Sequence, residues 1–250
     1  MQEVFDILIT SLFQGVFEFL PISSSAHLDI LNTIFVINNF DQIKFFAELA
    51  TFTVTFVYFF FIIKTNVIGF IKGQKLSILF FLKILTSTIP FMFGFLLFYK
   101  TLHNISLFLI VGSILMIITE KQTKNRNTNS ITEITFKQAF IIGIFQIFSI
   151  FSGFSRSGST ICGGLICGLK RGVAVQYSFL ISLPITFCSL INDFYKLKIT
   201  NLYSNISTFI LCFFIGIISI KILINFLSNH KLYYFAYYRI LLAIIIIFAI

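Results

Sequence analysis

Two short stretches hold residues able to do chemistry in an otherwise apolar chain. The first reads Gln14-Gly15-Val16-Phe17-Glu18-Phe19-Leu20-Pro21-Ile22-Ser23-Ser24-Ser25-Ala26-His27-Leu28. The second reads Gly153-Phe154-Ser155-Arg156-Ser157-Gly158-Ser159-Thr160-Ile161. Gln14 and Glu18 stand four apart and so project from one helical face. Together they can hold a hard divalent cation through oxygen ligands and water. Alternatively Glu18 is a base for a serine hydroxyl or for water; the blander reading is a helix-end carboxylate. His27 follows the serine run and suits a general acid or a nucleophile, or simply a satisfied hydrogen bonder. Ser24 and His27 are three apart and share a face on a helix opening there.

The second stretch suits an anion. Arg156 offers a planar bidentate fork that matches phosphate better than a lysine does. Ser23 and Ser25 on one side, with Ser155, Ser157 and Thr160 on the other, add hydroxyl donors. A helix beginning after each serine run would aim its free N-terminal amides and dipole at the same anion. The competing reading of 155–160 is a small-residue packing patch with one interfacial arginine. An arginine in an apolar hairpin is costly without an anionic partner, which favours the site. Glu48, just inside an apolar run, is either a further candidate or a carboxylate snorkelling to the interface; His103 and His230 fall in loops.

The elements that must position these groups are membrane elements. The chain has 250 residues, 58% hydrophobic and only 11% charged, where a soluble domain carries about 25% charge. That excludes a water-soluble globule and a disordered chain. Apolar runs cover about 42–63, 76–99, 103–119, 173–195, 205–228 and 233–250, each near the ~20 residues a span needs. The pieces 3–20 with 28–38, and 138–151 with 159–169, are too short and read as re-entrant hairpins. Non-helical backbone at their tips is tolerated only where protein or a water-filled cavity surrounds it.

Charge orients the runs. Placing Lys64, Lys72 and Lys75 on the cytoplasmic side puts Lys121, Lys124, Arg126, Lys137, Lys170, Arg171 and Lys231 there too. The other side receives Lys44, Lys100, Lys196 and Lys198. This obeys the positive-inside rule only if 3–38 and 138–170 are hairpins, and it leaves both termini outside. The net charge of +9 is therefore a topology signal, and no nucleic-acid partner is expected. The start of the chain carries Glu3 and Asp6 and no basic region, so no cleavable signal is expected. Cysteines 162, 167, 188 and 212 lie in apolar runs without metal-ligand spacing and read as packing residues.

The hairpins resemble each other. A shift of 132 residues lays Phe13-Gln14 on Phe145-Gln146, Phe19 on Phe151, Ser23 on Ser155 and Ser25 on Ser157. Pro21 then meets Gly153, and Ala26 meets Gly158. The expected fold is thus all-α: one polytopic membrane domain over 1–250, with six transmembrane helices plus two re-entrant helical hairpins. Its inverted-repeat halves are about 1–119 and 138–250, joined by the polar loop 120–137. Such repeats place a site at their interface.

The two motifs, with Phe179-Leu180-Ile181-Ser182-Leu183-Pro184 after the second, resemble the signatures of the undecaprenyl-diphosphate phosphatase, or bacitracin-resistance, family. The likeness runs in order along nearly the whole chain. It implies an integral membrane enzyme of the bacterial cytoplasmic membrane, hydrolysing undecaprenyl diphosphate to the monophosphate and inorganic phosphate and so recycling the cell-wall lipid carrier. It further implies a divalent cation, Mg²⁺ or Ca²⁺, an active site open to the outer face, and a polyprenyl diphosphate as partner within membrane lipid. By motif position it makes Glu18, Ser24, His27 and Arg156 catalytic, with Ser24 the leading nucleophile. Ser23, Ser25, Ser155, Arg156, Ser157 and Thr160 take the phosphate, and Gln14 and Glu18 the metal. Serine, histidine and water all remain open as the attacking group, and a homodimer remains open too. The chain departs from the pattern at Gln14 (glutamate in some members), Phe17 (usually threonine), Ala26 (glycine), Ser152 (proline) and Glu48 (glutamine). The other function class is a transporter or flippase of a polyprenyl phosphate lipid, since inverted repeats with broken helices are common in transporters.

Overall fold

The computed structural model describes residues 2–98, 104–122, 127–197 and 199–249. Lys100, His103, Lys124, Arg126 and Lys198 lie outside the described residues. Eleven α-helices occur among the described residues: α1 (Gln2–Phe17), α2 (Ser24–Phe35), α3 (Phe40–Tyr58), α4 (Phe60–Ile71), α5 (Lys75–Phe98), α6 (Ile105–Lys121), α7 (Phe136–Ile147), α8 (Arg156–Ile166), α9 (Arg171–Phe194), α10 (Leu202–Asn229) and α11 (Tyr233–Ala249). There is no strand among the described residues, and one isolated bridge joins Thr128 to Leu169.

Polar caps start the helices where the apolar pattern resumes. Asn104 accepts from the Leu107 amide and Asn201 from the Ser204 amide. Thr135 and Gln138 form a reciprocal capping box. Each satisfies amides that a helix start leaves without intrahelical partners.

Helices α5, α9 and α10 are long and apolar enough to cross a membrane, and the bent pair α3–α4 is a fourth candidate. Shorter apolar helices accompany them, including α7 and α11. The chain is therefore a multi-pass membrane protein. The apolar runs 42–63 and 76–99 leave 64–75 between them, but that interval is not a loop: the chain stays helical to Ile71, and only the turn Lys72–Gln74 separates α4 from α5. The break comes earlier, at Phe59, where the axis bends by 67°. Phe59 has φ −92° and ψ 9° and its ring is buried, whereas its neighbours Tyr58, Phe60 and Phe61 are exposed. The bend thus turns one aromatic into the core and leaves the rest on the apolar outer surface.

The segments expected to form the hairpins fold as two helix–turn–helix units, α1–α2 and α7–α8. Each hairpin's first helix packs on a long helix distant in sequence, α1 on α10 and α7 on α5; α6 packs on α11. The tips sit inside protein. Phe19 and Ile22 at the first turn, and Ile161 on the helix after the second, belong to one core cluster with Met116, Phe179 and Ile220.

Candidate active site

Ser23 and Ser155 fix the geometry of the tips. Both adopt positive φ, 71° and 72°, a conformation that is costly for a non-glycine residue and clusters at functional sites. Each caps the helix after it: Ser23 Oγ accepts from the Ala26 amide and Ser155 Oγ from the Gly158 amide. These pairs are the ones the 132-residue shift aligns. The tips also bind each other, since the Gly153 amide donates to Ser23 Oγ at 3.2 Å and Ser157 Oγ donates to the Leu20 carbonyl at 3.3 Å. Gly153 is required here. Its φ is 99°, and a Cβ would lie 2.6 Å from the Ile105 carbonyl oxygen.

A cavity of about 980 Å³ opens in front of the tips. Gln14, Glu18, Ser23, Ser24 and Ser25 line it from the first hairpin; Ser155, Arg156 and Ser157 line it from the second. Glu48, Thr51 and Thr55 on α3, and Ser178, Ser182 and Thr186 on α9, form further polar wall. Leu85, Phe91, Met92, Phe95 and Leu96 on α5 make an apolar wall. Leu85, Met92 and Leu96 are also exposed on the outer surface, so the cavity reaches the apolar surface sideways between helices.

Glu18 is the hub. Ser24 Oγ donates to Glu18 Oε2 at 2.5 Å. Arg156 Nη2 donates to Glu18 Oε1 at 2.7 Å, an ion pair across the two hairpins. Arg156 Nη1 is held by Thr186 Oγ1 at 2.6 Å. Gln14 Nε2 donates to Glu18 Oε2 at 3.2 Å and to Thr51 Oγ1 at 3.3 Å. That leaves Gln14 Oε1 buried with no hydrogen-bond partner among the described residues. An orphaned carboxamide oxygen beside a carboxylate is a hard-oxygen donor set of the kind a divalent cation takes. Gln14 and Glu18 therefore fit such an ion, although no group of three or more His, Cys, Asp or Glu gathers around one point among the described residues.

The expected residues are not all placed alike. Glu18, Ser24, Arg156, Ser23, Ser25, Ser155, Ser157 and Gln14 face the cavity together. His27 and Thr160 are not among its lining residues. His27 Nδ1 pairs with the Ser23 carbonyl at 2.7 Å and Nε2 with Tyr238 Oη at 2.8 Å, its ring stacked on Tyr238 and edge-on to Phe17. Thr160 Oγ1 meets Ser178 Oγ at 2.5 Å and donates back to the Arg156 carbonyl at 2.9 Å. Both brace the helices that carry the serines and the arginine.

Arg239 was missed by the sequence reading. It is fully buried in α11. Nη1 donates to the Pro21 carbonyl at 3.2 Å, and Nη2 to the Gly153 carbonyl at 2.8 Å and the Phe108 carbonyl at 3.2 Å. Pro21 and Gly153 are equivalent tip positions under the shift, so one guanidinium holds both tips. No carboxylate pairs with it among the described residues. An arginine midway along the apolar run 233–250 was the available signal.

Residues 7–245 match the family described as Bacitracin resistance protein BacA. The chain is 37% identical over 250 residues to an undecaprenyl-diphosphatase of Methanococcus vannielii, covering 96% of this chain and 98% of that protein. It is 33% identical over 261 residues to an undecaprenyl-diphosphatase of Buchnera aphidicola subsp. Acyrthosiphon pisum, covering 99% and 98%. A third undecaprenyl-diphosphatase, of Thermosipho melanesiensis, is 36% identical over 244 residues, covering 95% and 96%. Matched through both hairpins and along nearly the full length of its relatives, this chain belongs to the bacitracin resistance protein BacA family.

Proposed function

We propose that the chain is an integral membrane phosphatase that hydrolyses undecaprenyl diphosphate to undecaprenyl phosphate and inorganic phosphate, recycling the lipid carrier of cell-wall synthesis. The observation that carries this reading is Ser24 Oγ held at 2.5 Å by Glu18, whose other oxygen meets Arg156. A serine hydroxyl needs a base to attack at neutral pH, and a carboxylate in hydrogen-bond contact is one. A lipid transporter needs no base beside a nucleophile, so the same contact favours hydrolysis over flipping.

The steps follow from the contacts. The diphosphate enters sideways, its apolar chain along the α5 wall and its phosphates toward the two tips. The unpaired first-turn amides of α2 and α8 and the hydroxyls of Ser23, Ser25, Ser155 and Ser157 receive the phosphate oxygens. Arg156, still held by Thr186, exchanges Glu18 for a phosphate oxygen. That exchange leaves Glu18 Oε2 in contact with the Ser24 hydroxyl while Arg156 turns to the phosphate. Ser24 Oγ attacks the terminal phosphorus as its proton passes to Glu18. The bond to the bridging oxygen breaks, and lipid monophosphate leaves with the electron pair. Glu18 passes that proton to the departing monophosphate. It then takes a proton from water as the water oxygen attacks the phosphoserine phosphorus. The bond to Ser24 Oγ breaks, Oγ leaves with the electron pair and recovers the proton from Glu18, and inorganic phosphate is released. A divalent cation, Mg²⁺ or Ca²⁺, fits beside Gln14 and Glu18, and when bound supplies charge neutralisation to the phosphate oxygens. His27 and Tyr238 set the entry of α2 in this reading.

We read α3–α4, α5, α6, α9, α10 and α11 as six spans and the two hairpins as re-entrant, in inverted halves of one domain. The cross-packing of α1 on α10 and α7 on α5, with the matched caps Ser23 and Ser155, supports this. The positive-inside count supports an orientation in the cytoplasmic membrane with the cavity toward the outer face. All site groups come from one chain, so the reading needs no second copy. The test is phosphate release by purified protein given a polyprenyl diphosphate. Release of one phosphate per lipid, lost with chelator, is expected; intact diphosphate after prolonged incubation would overturn the reading.

A further inference from the structure

Glu48 lines the same cavity from α3, yet the mechanism above gives it no part. Thr51 follows it by three residues on the same helix. Thr51 Oγ1 donates to the Glu48 carbonyl at 3.1 Å and accepts from Gln14 Nε2 at 3.3 Å. Glu48, Thr51 and Thr55 are spaced i, i+3 and i+7, so they share the cavity face of α3. Glu48 therefore stands about one helical rise, ~5 Å, from the point where α3 meets the Gln14 side chain.

The charges in this cavity do not balance locally. Glu18 is committed to Arg156 and Ser24. The lysine one turn before Glu48, Lys44, is committed to Asp29 at 3.3 Å. The remaining cation of the lining, Lys196, lies on the solvent-exposed turn after α9. The Glu48 carboxyl makes no hydrogen bond and no ion pair within 4 Å among the described residues; Lys44 and Arg156 act on it only from farther away. Such a carboxyl, when ionised on the wall of a cavity built to take a polyanion, repels the ligand unless a cation stands between them. A second observation marks where that cation sits. Gln14 is 1% exposed, lines the cavity, and leaves Oε1 without any partner among the described residues.

We infer that Glu48 is a cation ligand in this chain, forming with Gln14 Oε1 and Glu18 an oxygen site for one divalent ion that bridges to the substrate's phosphates. Hard cations such as Mg²⁺ are commonly held by one or two carboxylates, with water and substrate phosphate completing the shell. Glu48 supplies the uncommitted charge, Gln14 a neutral oxygen, and Glu18 the link to Ser24. The inference rests on the phosphatase reading for the identity of the bridged anion but not for the cation site itself.

The test uses purified full-length protein in detergent without substrate, with Mn²⁺ as the probe and its free-ion paramagnetic signal as the readout. The wild type should bind one Mn²⁺ that Mg²⁺ displaces. Glu48→Gln should weaken that binding at least about tenfold, the loss seen even when a residue behind a metal ligand is removed. Glu133→Gln, in the polar loop, should not change it. Unaltered affinity in Glu48→Gln, or no saturable Mn²⁺ binding by the wild type, overturns the inference. A second measurement needs no variant. Fe²⁺ bound to the wild type with peroxide should cut the backbone near both 14–18 and 48; cuts confined to other segments overturn it equally. Phosphate release with failed Mn²⁺ results removes only this inference. Mn²⁺ binding with both cuts and no phosphate release removes only the phosphatase reading.

Discussion

Replacing Arg239 by methionine tests whether one buried guanidinium holds both halves of the site. Methionine keeps most of the side-chain volume and removes the donors. The Pro21 and Gly153 carbonyls, now bonded at 3.2 and 2.8 Å, would each be left buried without a donor, at about 1–3 kcal/mol apiece. The two tips together would therefore lose about 2–6 kcal/mol of local stability. Against this, removing a buried charge that no carboxylate pairs returns part of its desolvation cost. The global melting temperature is thus a poor readout, because the two effects oppose each other. The local one is not ambiguous. We predict that segment-resolved hydrogen exchange over 22–26 and 153–158 accelerates by at least about thirtyfold, the equivalent of the lower figure of ~2 kcal/mol. Turnover should fall with it, since α2 and α8 carry Ser24 and Arg156. Unchanged exchange at both tips together with near-normal turnover in a folded Arg239→Met protein would refute the reasoning.

Other outcomes follow from the same contacts. Arg156→Lys keeps the charge but can satisfy only one of Thr186 and the phosphate. Losing one charge-assisted hydrogen bond, about 1.5–3 kcal/mol, predicts a fall in kcat/KM of about 10- to 150-fold, and near-normal kinetics would contradict the clamp. Cys188 lines the cavity and is exposed, whereas Cys162 and Cys212 are buried. An impermeant thiol reagent added outside whole cells should label Cys188 alone, with pyrophosphate protecting it; labelling only after the cytoplasmic side is opened would reverse the orientation. If His27 acts by bracing, Tyr238→Phe should reproduce part of the loss seen in His27→Ala, because it removes the 2.8 Å contact. A silent Tyr238→Phe beside a dead His27→Ala would instead give the imidazole a chemical role.

The sequence made the chemistry of the tips legible and left their bracing hidden, for a physical reason. Spacing tells which residues share a helical face but not which way that face turns relative to other helices. Gln14, Glu18 and Ser24 were readable because a four-residue step and a short tip bring them together within one hairpin. His27 was placed with Ser24 by its three-residue step, yet Ser24 stands on the first turn, beside the tip and Glu18, while His27 points to α11. Thr51, Ser178, Thr186 and Tyr238 hold the site from other helices, and nothing local distinguishes them from the many other hydroxyls of apolar runs. The bend at Phe59 has no proline or glycine to announce it, so 64–75 reads only as the interval between two apolar runs. The internal repeat was the more informative signal: it aligned Ser23 with Ser155 and Pro21 with Gly153, the two caps and the two carbonyls that the structure treats alike.

The hydroxyl that touches Glu18 is the group on which hydrolysis depends. Phosphate release from a polyprenyl diphosphate should be compared between wild type and Ser24→Ala, both checked for the same exchange protection at the tips. Wild type should convert the lipid to monophosphate, and Ser24→Ala should fall to the rate without protein. Retention of a substantial fraction of wild-type turnover by Ser24→Ala would show that another group attacks the phosphorus.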